Sequence, residues 1–181
     1  NYKEVKSVID EIVLLDSSNA ILFRLRAYSS YETQDYVNGL MNMEKFFQKA
    51  PTNKILPSDY EYYGKLLIKN DKDSLGIPWL YKAFSMDSSK TELLGEIASA
   101  YFKKKKYPEA ILAFQQKISL NKSPVVQDHF SLGKSYYLTN QFGKADTQFI
   151  IVTGLQPNSP SGYLWRGRAN SGMDPETETG L

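Results

Sequence analysis

Large apolar residues recur three or four positions apart along this chain, in short stretches separated by polar turns. Tyr60, Tyr63 and Leu67 form one such stretch, and Phe142 and Phe149 belong to another. The spacing matches the turn of an α-helix, so each stretch predicts a helix with one apolar face. The pattern as a whole predicts an all-α chain of consecutive helix pairs.

Two series of small residues run in step with this pattern. The first series is Ala27, Gly64, Ala98, Gly133 and Gly167, spaced 37, 34, 35 and 34 residues apart. The second series is Val5, Gly39, Gly76, Ala110 and Ala145, spaced 34, 37, 34 and 35 residues apart. A period near 34 residues is typical of a solenoid built from helix–turn–helix units. Small side chains in both helices of a unit allow the two axes to approach closely.

The two series define where each unit begins and ends. With the first small residue at position 8 and the second at position 20, full units span 20–56, 57–90, 91–125 and 126–159. Residues 1–19 then form a half repeat holding a second helix, and 160–181 form a half repeat holding a first helix. We predict a single array over 1–181. Half repeats at both ends are expected of a piece of a longer array.

The unit 126–159 carries a recognisable set of residues, namely Leu132, Gly133, Tyr136, Phe142, Ala145, Phe149, Leu155 and Pro157. This set closely resembles the motif of the tetratricopeptide repeat (TPR) family. The other three units match it in part and depart from it at Arg26, Asp73 and Lys117, the last standing where a small residue is usual. The resemblance implies a right-handed α-solenoid of antiparallel helix pairs, with the first helices lining a concave groove.

Charge and composition exclude several classes of function. The chain has 22 basic and 20 acidic residues and a net charge of +2, which gives no case for nucleic-acid binding. It contains no cysteine, so disulfides and thiol chemistry are excluded. Apolar runs such as Ile12 to Leu15 are far too short for membrane insertion. Abundant Lys, Asn, Tyr and Ser fit a bacterial source, and cytoplasm and periplasm both remain open.

No catalytic, cofactor or metal site is predicted. His129 is the only histidine, and metal sites and nucleophile systems normally need a second His or a Cys. Gly133, Lys134 and Ser135 look like the end of a phosphate-binding loop, but Asp128 stands where that loop needs glycine. We therefore expect a protein that is not an enzyme.

The resemblance also implies which side chains face the groove, because positions 2, 5, 9, 12 and 13 of the first helices line it. Basic and aromatic residues alternate along these positions. The candidate partner-binding residues are Arg24, Tyr28, Tyr31, Lys65, Lys69, Ser99, Phe102, Lys103, Phe130, Lys134, Tyr137 and Arg168. Such a surface suits a peptide or protein partner with acidic groups and apolar side chains.

The leading interpretation is a non-catalytic scaffold for protein–protein interaction that binds a partner in this groove. Two alternatives stay open. The array could be a structural element that stacks or oligomerises, or the regulatory arm of an enzyme whose catalytic part lies elsewhere. The oligomeric state is not determined by the sequence.

The proposed helix crossings predict a stability difference between two glycines. Leucine at Gly133, a crossing position, should overpack the helix pair and cost about 1–3 kcal/mol in unfolding free energy. Alanine at Gly172, outside the crossing positions, should matter much less.

Overall fold

The computed structural model describes Glu4, Val8, Ile9, Ile12 and residues 19–123 and 125–173. Val5, most of the half repeat 1–19 and the segment 174–181 lie outside the described residues. The α-helices in the described ranges are α1 Ala20–Glu32, α2 Tyr36–Lys49, α3 Pro57–Lys69, α4 Asp73–Met86, α5 Glu92–Lys103, α6 Tyr107–Leu120, α7 Val126–Tyr137, α8 Phe142–Leu155 and α9 Pro160–Met173. A short 3-10 helix spans Thr52–Lys54. None of the helices in these ranges is long and apolar enough to cross a bilayer.

Consecutive helices form pairs: α1 with α2, α3 with α4, α5 with α6, and α7 with α8. Only three or four residues separate the members of each pair, so the two helices fold back on each other as antiparallel neighbours. The first helices begin at or beside Ala20, Pro57, Val126 and Pro160. Extended residues precede three of them, Asn19, Leu56 and Val125. The all-α architecture predicted from the apolar spacing is confirmed.

The chain divides into two compact units, Asn1–Leu93 and Leu94–Leu181. Each unit has its own buried apolar side chains, which supply most of its stability. In the first unit, Met43, Phe46 and Leu66 are almost completely buried and form the centre of the core. In the second unit, Ile97, Phe149 and Val152 have no exposed surface.

The small residues lie where paired helices cross. A Cβ atom on Gly76 would lie 2.6 Å from the carbonyl oxygen of Gly64, and one on Gly64 would lie 2.9 Å from that of Gly76. Ala98 and Ala110, the equivalent residues of the next pair, are fully buried. At Gly167, by contrast, a Cβ atom would meet no described atom of another part of the chain within 4 Å. The α3–α4 crossing therefore depends on the absence of side chains in both helices.

Each helix pair turns through a residue with left-handed backbone. Gln34, Asp71, Lys105 and Asn140 have φ angles of 62°, 59°, 58° and 58°. In every case the next residue donates a backbone hydrogen bond to a carbonyl five positions earlier, as Lys106 does to Tyr101 at 3.0 Å. This is the Schellman arrangement that ends many helices, in which glycine is usual at the left-handed position. The chain builds all four turns without glycine.

Lys117, which departs from the family motif, is explained by a contact with the following helix pair. Its ammonium lies 2.7 Å from a carboxylate oxygen of Asp128, and both side chains are largely buried. The lysine stem passes over Gly95, where a Cβ atom would lie 2.9 Å from Nζ. A glycine in α5 therefore leaves room for the ion pair that joins α6 to α7.

The structure supports the stability effect predicted for Gly133 but not the one predicted for Gly172. A Cβ atom on Gly133 would lie 2.8 Å from the buried ring of Phe149, as expected for a tight crossing. The prediction that Gly172 is a permissive position is wrong, because its Cβ would lie 2.8 Å from the ring of Phe142. Gly172 packs against the start of α8, a contact that the repeat spacing did not indicate.

We therefore expect Gly133→Leu to lower the free energy of unfolding by about 1–3 kcal/mol, because the leucine must displace a packed ring. Gly154→Leu is the matched control, since a Cβ there would meet no described atom of another part of the chain within 4 Å. Urea unfolding of both variants measures the difference. Equal losses of stability would contradict the crossing assigned to Gly133.

Lys105→Gly should raise the free energy of unfolding by about 1 kcal/mol, because glycine adopts the left-handed region without the penalty of a Cβ atom. Lys104→Gly removes the same charge at the neighbouring residue, whose φ is not positive, and should lower stability. Thermal unfolding followed by circular dichroism separates the two variants. A loss of stability in both would refute the turn conformation.

Candidate functional site

The twelve predicted groove residues fall in both compact units. Five of them, Arg24, Tyr28, Tyr31, Lys65 and Lys69, belong to the first unit. The other seven, Ser99, Phe102, Lys103, Phe130, Lys134, Tyr137 and Arg168, belong to the second. The two sets differ in what their side chains contact, and we describe each unit by itself.

Arg24 forms a buried ion pair within the first unit. Its guanidinium lies 2.8 Å from Asp59, whose side chain is completely buried, and 4.5 Å above the ring of Phe46. The carboxylate of Asp59 also accepts a 2.7 Å hydrogen bond from the backbone N–H of Leu56 at the start of α3. Arg24 thus joins α1 to α3, and its charge is neutralised inside the protein.

Tyr28 is bound to the same carboxylate. Its hydroxyl donates a 2.6 Å hydrogen bond to Asp59, and its ring stacks on Tyr62 with centroids 3.9 Å apart. Burial and the neighbouring Asp59 raise the pKa of Tyr28 well above its ordinary value, so the hydroxyl remains a donor at neutral pH. Tyr28 acts here as a structural link between α1 and α3.

Lys65 is also engaged within the first unit. Its ammonium lies 2.7 Å from one carboxylate oxygen of Glu61, and Lys90 lies 2.6 Å from the other. Burial raises the pKa of Glu61, but the hydrogen bonds and charges of the two lysines outweigh this effect and hold the pKa below its ordinary value of 4.5. Glu61 is therefore ionised at neutral pH and offsets the charge of Lys65.

Tyr31 and Lys69 lie among aromatic rings. The Tyr31 ring meets Tyr62 edge-on at 5.3 Å, and the ammonium of Lys69 lies 5.5 Å from the centroid of Tyr36. Lys69 is exposed, whereas Tyr31 is half-buried. The first unit therefore presents one exposed cation from the predicted set.

In the second unit, Lys134 lies at the centre of an aromatic group. Its ammonium lies 5.6 Å from the ring centroid of Phe102, 5.9 Å from that of Phe130 and 5.1 Å from that of Trp165. Distances of this order allow the cation to interact with the faces of the rings. Helices α5, α7 and α9 each contribute at least one of these four residues.

Arg168 and Tyr137 extend this group along α9 and α7. The guanidinium of Arg168 lies 4.8 Å from the ring centroid of Trp165, and the Tyr137 ring meets the same indole edge-on at 5.3 Å. We call these six residues the Lys134 cluster: Phe102, Phe130, Lys134, Tyr137, Trp165 and Arg168. Five of them were predicted from the sequence.

Trp165 was missed by the sequence analysis because it occupies position 6 of its unit, which was not among the positions assigned to the groove. Tyr62 occupies the same position of its own unit and lies against Tyr28 and Tyr31. An aromatic residue at position 6 in two units was the available signal.

Two open cavities adjoin the cluster. Ser99, Phe102, Lys103 and Lys134 line one of about 150 Å3, together with Phe114 and Ser131. Tyr137 and Arg168 line a wider one of about 580 Å3 with Tyr163, Leu164 and neighbouring residues of α9. The structure therefore brings the seven predicted residues of the second unit to one region. In the described ranges, no group of three or more His, Asp and Glu residues could hold a metal ion.

Solved structures establish the family. The chain is 32% identical to the C-terminal part of a TPR repeat-containing protein from Cytophaga hutchinsonii, with a TM-score of 0.82 over 99% of this chain and 69% of that one. The chain belongs to the tetratricopeptide repeat family. No protein-family model matches the sequence, and neither does any curated protein.

More distant TPR structures share the fold. YrrB, described as a TPR protein with an unusual peptide-binding site, is 17% identical, with a TM-score of 0.76 over 90% of this chain and 81% of its own. MamA of AMB-1 is 18% identical, with a TM-score of 0.75 over 90% of this chain and 87% of its own. TPR proteins are typically non-catalytic scaffolds that bind proteins or peptides, and this chain has their architecture.

The Glu61 ion pairs predict an acid-dependent loss of stability. Because the folded pKa of Glu61 lies below 4.5, its ionisation stabilises the fold above that pH, and the contribution is lost as pH falls through the folded value. Glu61→Gln should therefore be less stable near pH 7 but lose less stability than the wild type on acidification to about pH 3. Urea unfolding at both pH values measures this.

Glu92→Gln, which removes an exposed carboxylate of α5, is the matched control for the change in net charge. If Glu61→Gln and the wild type lose the same free energy of unfolding between the two pH values, the stabilising role of the Glu61 ion pairs is refuted.

Proposed function

We propose that the TPR scaffold binds an extended, acidic segment of a protein partner on the Lys134 cluster. The observation that carries this proposal is the half-buried ammonium of Lys134, held among three aromatic rings. In the described part of the chain, no carboxylate lies within ion-pair distance of Lys134 or Arg168. Within that described part, no carboxylate neutralises the positive charge of the cluster.

Such a cation attracts a carboxylate more strongly than a fully exposed lysine does. The rings exclude water from one side of the ammonium, which lowers the effective dielectric around it. A hydrogen bond between charged groups in this setting contributes about 1.5–3 kcal/mol, against about 0–1 kcal/mol for an exposed ion pair. Holding the stem among rings also reduces the side-chain entropy lost on binding.

Two predicted cations of the first unit, Arg24 and Lys65, lack this property. Arg24 is paired with Asp59, and Lys65 is paired with Glu61, which is also bound by Lys90. A partner carboxylate would have to compete with these internal ions. The proposal therefore rests on the second unit and does not use Arg24, Tyr28 or Lys65.

Exposed apolar surface beside Arg168 supports binding of apolar side chains as well. Tyr163 and Leu164 are 51% and 55% exposed and line the wider cavity with Arg168. Large apolar residues that are this exposed beside a cation favour a partner segment that mixes carboxylates with apolar residues.

Binding of short synthetic peptides tests the proposal. A labelled peptide in which Glu alternates with Val should bind the wild-type chain, and binding should weaken as salt is raised. A peptide in which Lys alternates with Val should not bind. The double variant Lys134→Gln and Arg168→Gln should bind the acidic peptide with an affinity at least about tenfold lower than that of the wild type, measured by fluorescence anisotropy.

The control removes two charges elsewhere in the second unit, as Lys106→Gln and Lys122→Gln, both of which are exposed. This variant should keep most of the affinity, and circular dichroism verifies that each variant is folded. If both double variants lower the affinity for the acidic peptide equally, then net charge, and not the Lys134 cluster, attracts the peptide.

A further inference from the structure

An aromatic residue at position 6 of a unit packs against an aromatic residue at position 12 of the preceding unit. Tyr62 meets Tyr31 edge-on, with centroids 5.3 Å apart and planes at 90°. Trp165 meets Tyr137 in the same way, at 5.3 Å and 81°. These two junctions lie in different compact units, and the same arrangement occurs in both.

The junction between α5 and α7 lacks one of these rings. Position 12 is Phe102, but position 6 of the following unit is Ser131. A cavity of about 150 Å3 lies there, lined by Ser99, Phe102, Lys103, Phe114, Ser131 and Lys134. Phe114 is the most buried of these residues, at 3% exposed. The cavity thus occurs where the Tyr31–Tyr62 and Tyr137–Trp165 junctions place a ring of the protein itself.

The size of the cavity fits one aromatic side chain. A cavity of about 150 Å3 in a protein interior accommodates one benzene molecule. A ring in this position could meet Phe102 edge-on, as Tyr62 meets Tyr31 and Trp165 meets Tyr137. Such aromatic contacts contribute beyond the apolar area that they bury.

We propose that this cavity is a specificity pocket for an aromatic side chain of the acidic partner segment. The inference rests on the proposed function and adds the side chain that the segment must carry. Lys134 lines the cavity, and no acidic residue of the described ranges does, so the charge around the entering ring favours adjacent carboxylates.

The geometry of an extended peptide sets the expected spacing. Residues two apart point to the same side and lie about 7 Å from each other. When one phenylalanine enters the cavity, carboxylates two residues before and after it face the same wall as Lys134. The preferred segment therefore reads Glu-x-Phe-x-Glu, where x is any residue.

Two labelled peptides that differ at one residue test the pocket. One peptide has the pattern Glu-x-Phe-x-Glu. The other has the pattern Glu-x-Ala-x-Glu and is otherwise identical. We expect the Phe peptide to bind the wild-type chain at least about tenfold more tightly, because its ring leaves water for the cavity.

Variants that fill the cavity provide a second test of the pocket. Ser131→Phe places a ring where Tyr62 and Trp165 place theirs, and it should reduce the affinity of the Phe peptide to that of the Ala peptide. The readout is the ratio of the two peptide affinities, measured on the same variant. Ser99→Leu narrows the same cavity from α5 and should also lower the affinity for the Phe peptide. Either variant alone can test the pocket if the other does not fold.

Ser119→Leu is the matched control for Ser99→Leu. Both serines are exposed on a helix, and each donates a 2.8 Å hydrogen bond to a carbonyl of its own helix, Gly95 for Ser99 and Gln116 for Ser119. Ser119 does not line the cavity. Its replacement should leave the preference for Phe over Ala intact.

The outcomes separate the two proposals. Equal binding of the Phe and Ala peptides to the wild type would overturn the pocket and leave the acidic-segment function standing. A Phe preference that survives both Ser131→Phe and Ser99→Leu would also overturn the pocket. Failure of both peptides to bind would overturn the proposed function and the pocket that rests on it.

Discussion

The close approach of paired helices at residues without side chains is the constraint on which the rest of the structure depends. At the α3–α4 crossing, a methyl group on Gly76 would lie 2.6 Å from the backbone oxygen of Gly64, which cannot move aside without moving its helix. The short distance brings large side chains on either side, such as Leu67 and Leu80, into the same buried layer. In a repeat array, each helix pair is stabilised by packing on its neighbours, so pairs fixed in this way are the units that stack.

Buried carboxylates at position 3 form the second recurring element. Asp59 and Asp128 both lie near the start of a first helix, and each pairs with a cation from the preceding repeat, Arg24 and Lys117 respectively. A buried charge without a counter-ion would be strongly destabilising, so each acid requires its partner. These pairs link neighbouring repeats. They explain Lys117, which departs from the family motif, and they give Arg24 a buried partner where the sequence predicted a groove residue.

The same charge pairing distinguishes Lys134 from the cations that neutralise an acid of their own compact unit. Arg24 and Lys65 neutralise acids of their own compact unit. Lys134 instead faces three aromatic rings. Both arrangements look alike in sequence, because in each a basic residue stands among aromatic residues on a first helix. Only the position of the nearest carboxylate distinguishes them, and that position depends on which helix packs alongside.

The sequence by itself determined the helical architecture, the helix pairing and the positions of the close crossings, because these follow from local periodicity and from side-chain size. It could not determine the four left-handed turn residues, since Gln34 and Lys105 carry no signal of the kind that glycine gives. It also could not separate Lys134 from Lys65, or show that Trp165 joins the same cluster. The surroundings of Lys134, Lys65 and Trp165 depend on contacts between residues about 30 positions apart, as between Arg24 and Asp59. Such contacts exist only after the helix pairs have packed, so tertiary structure alone decided them.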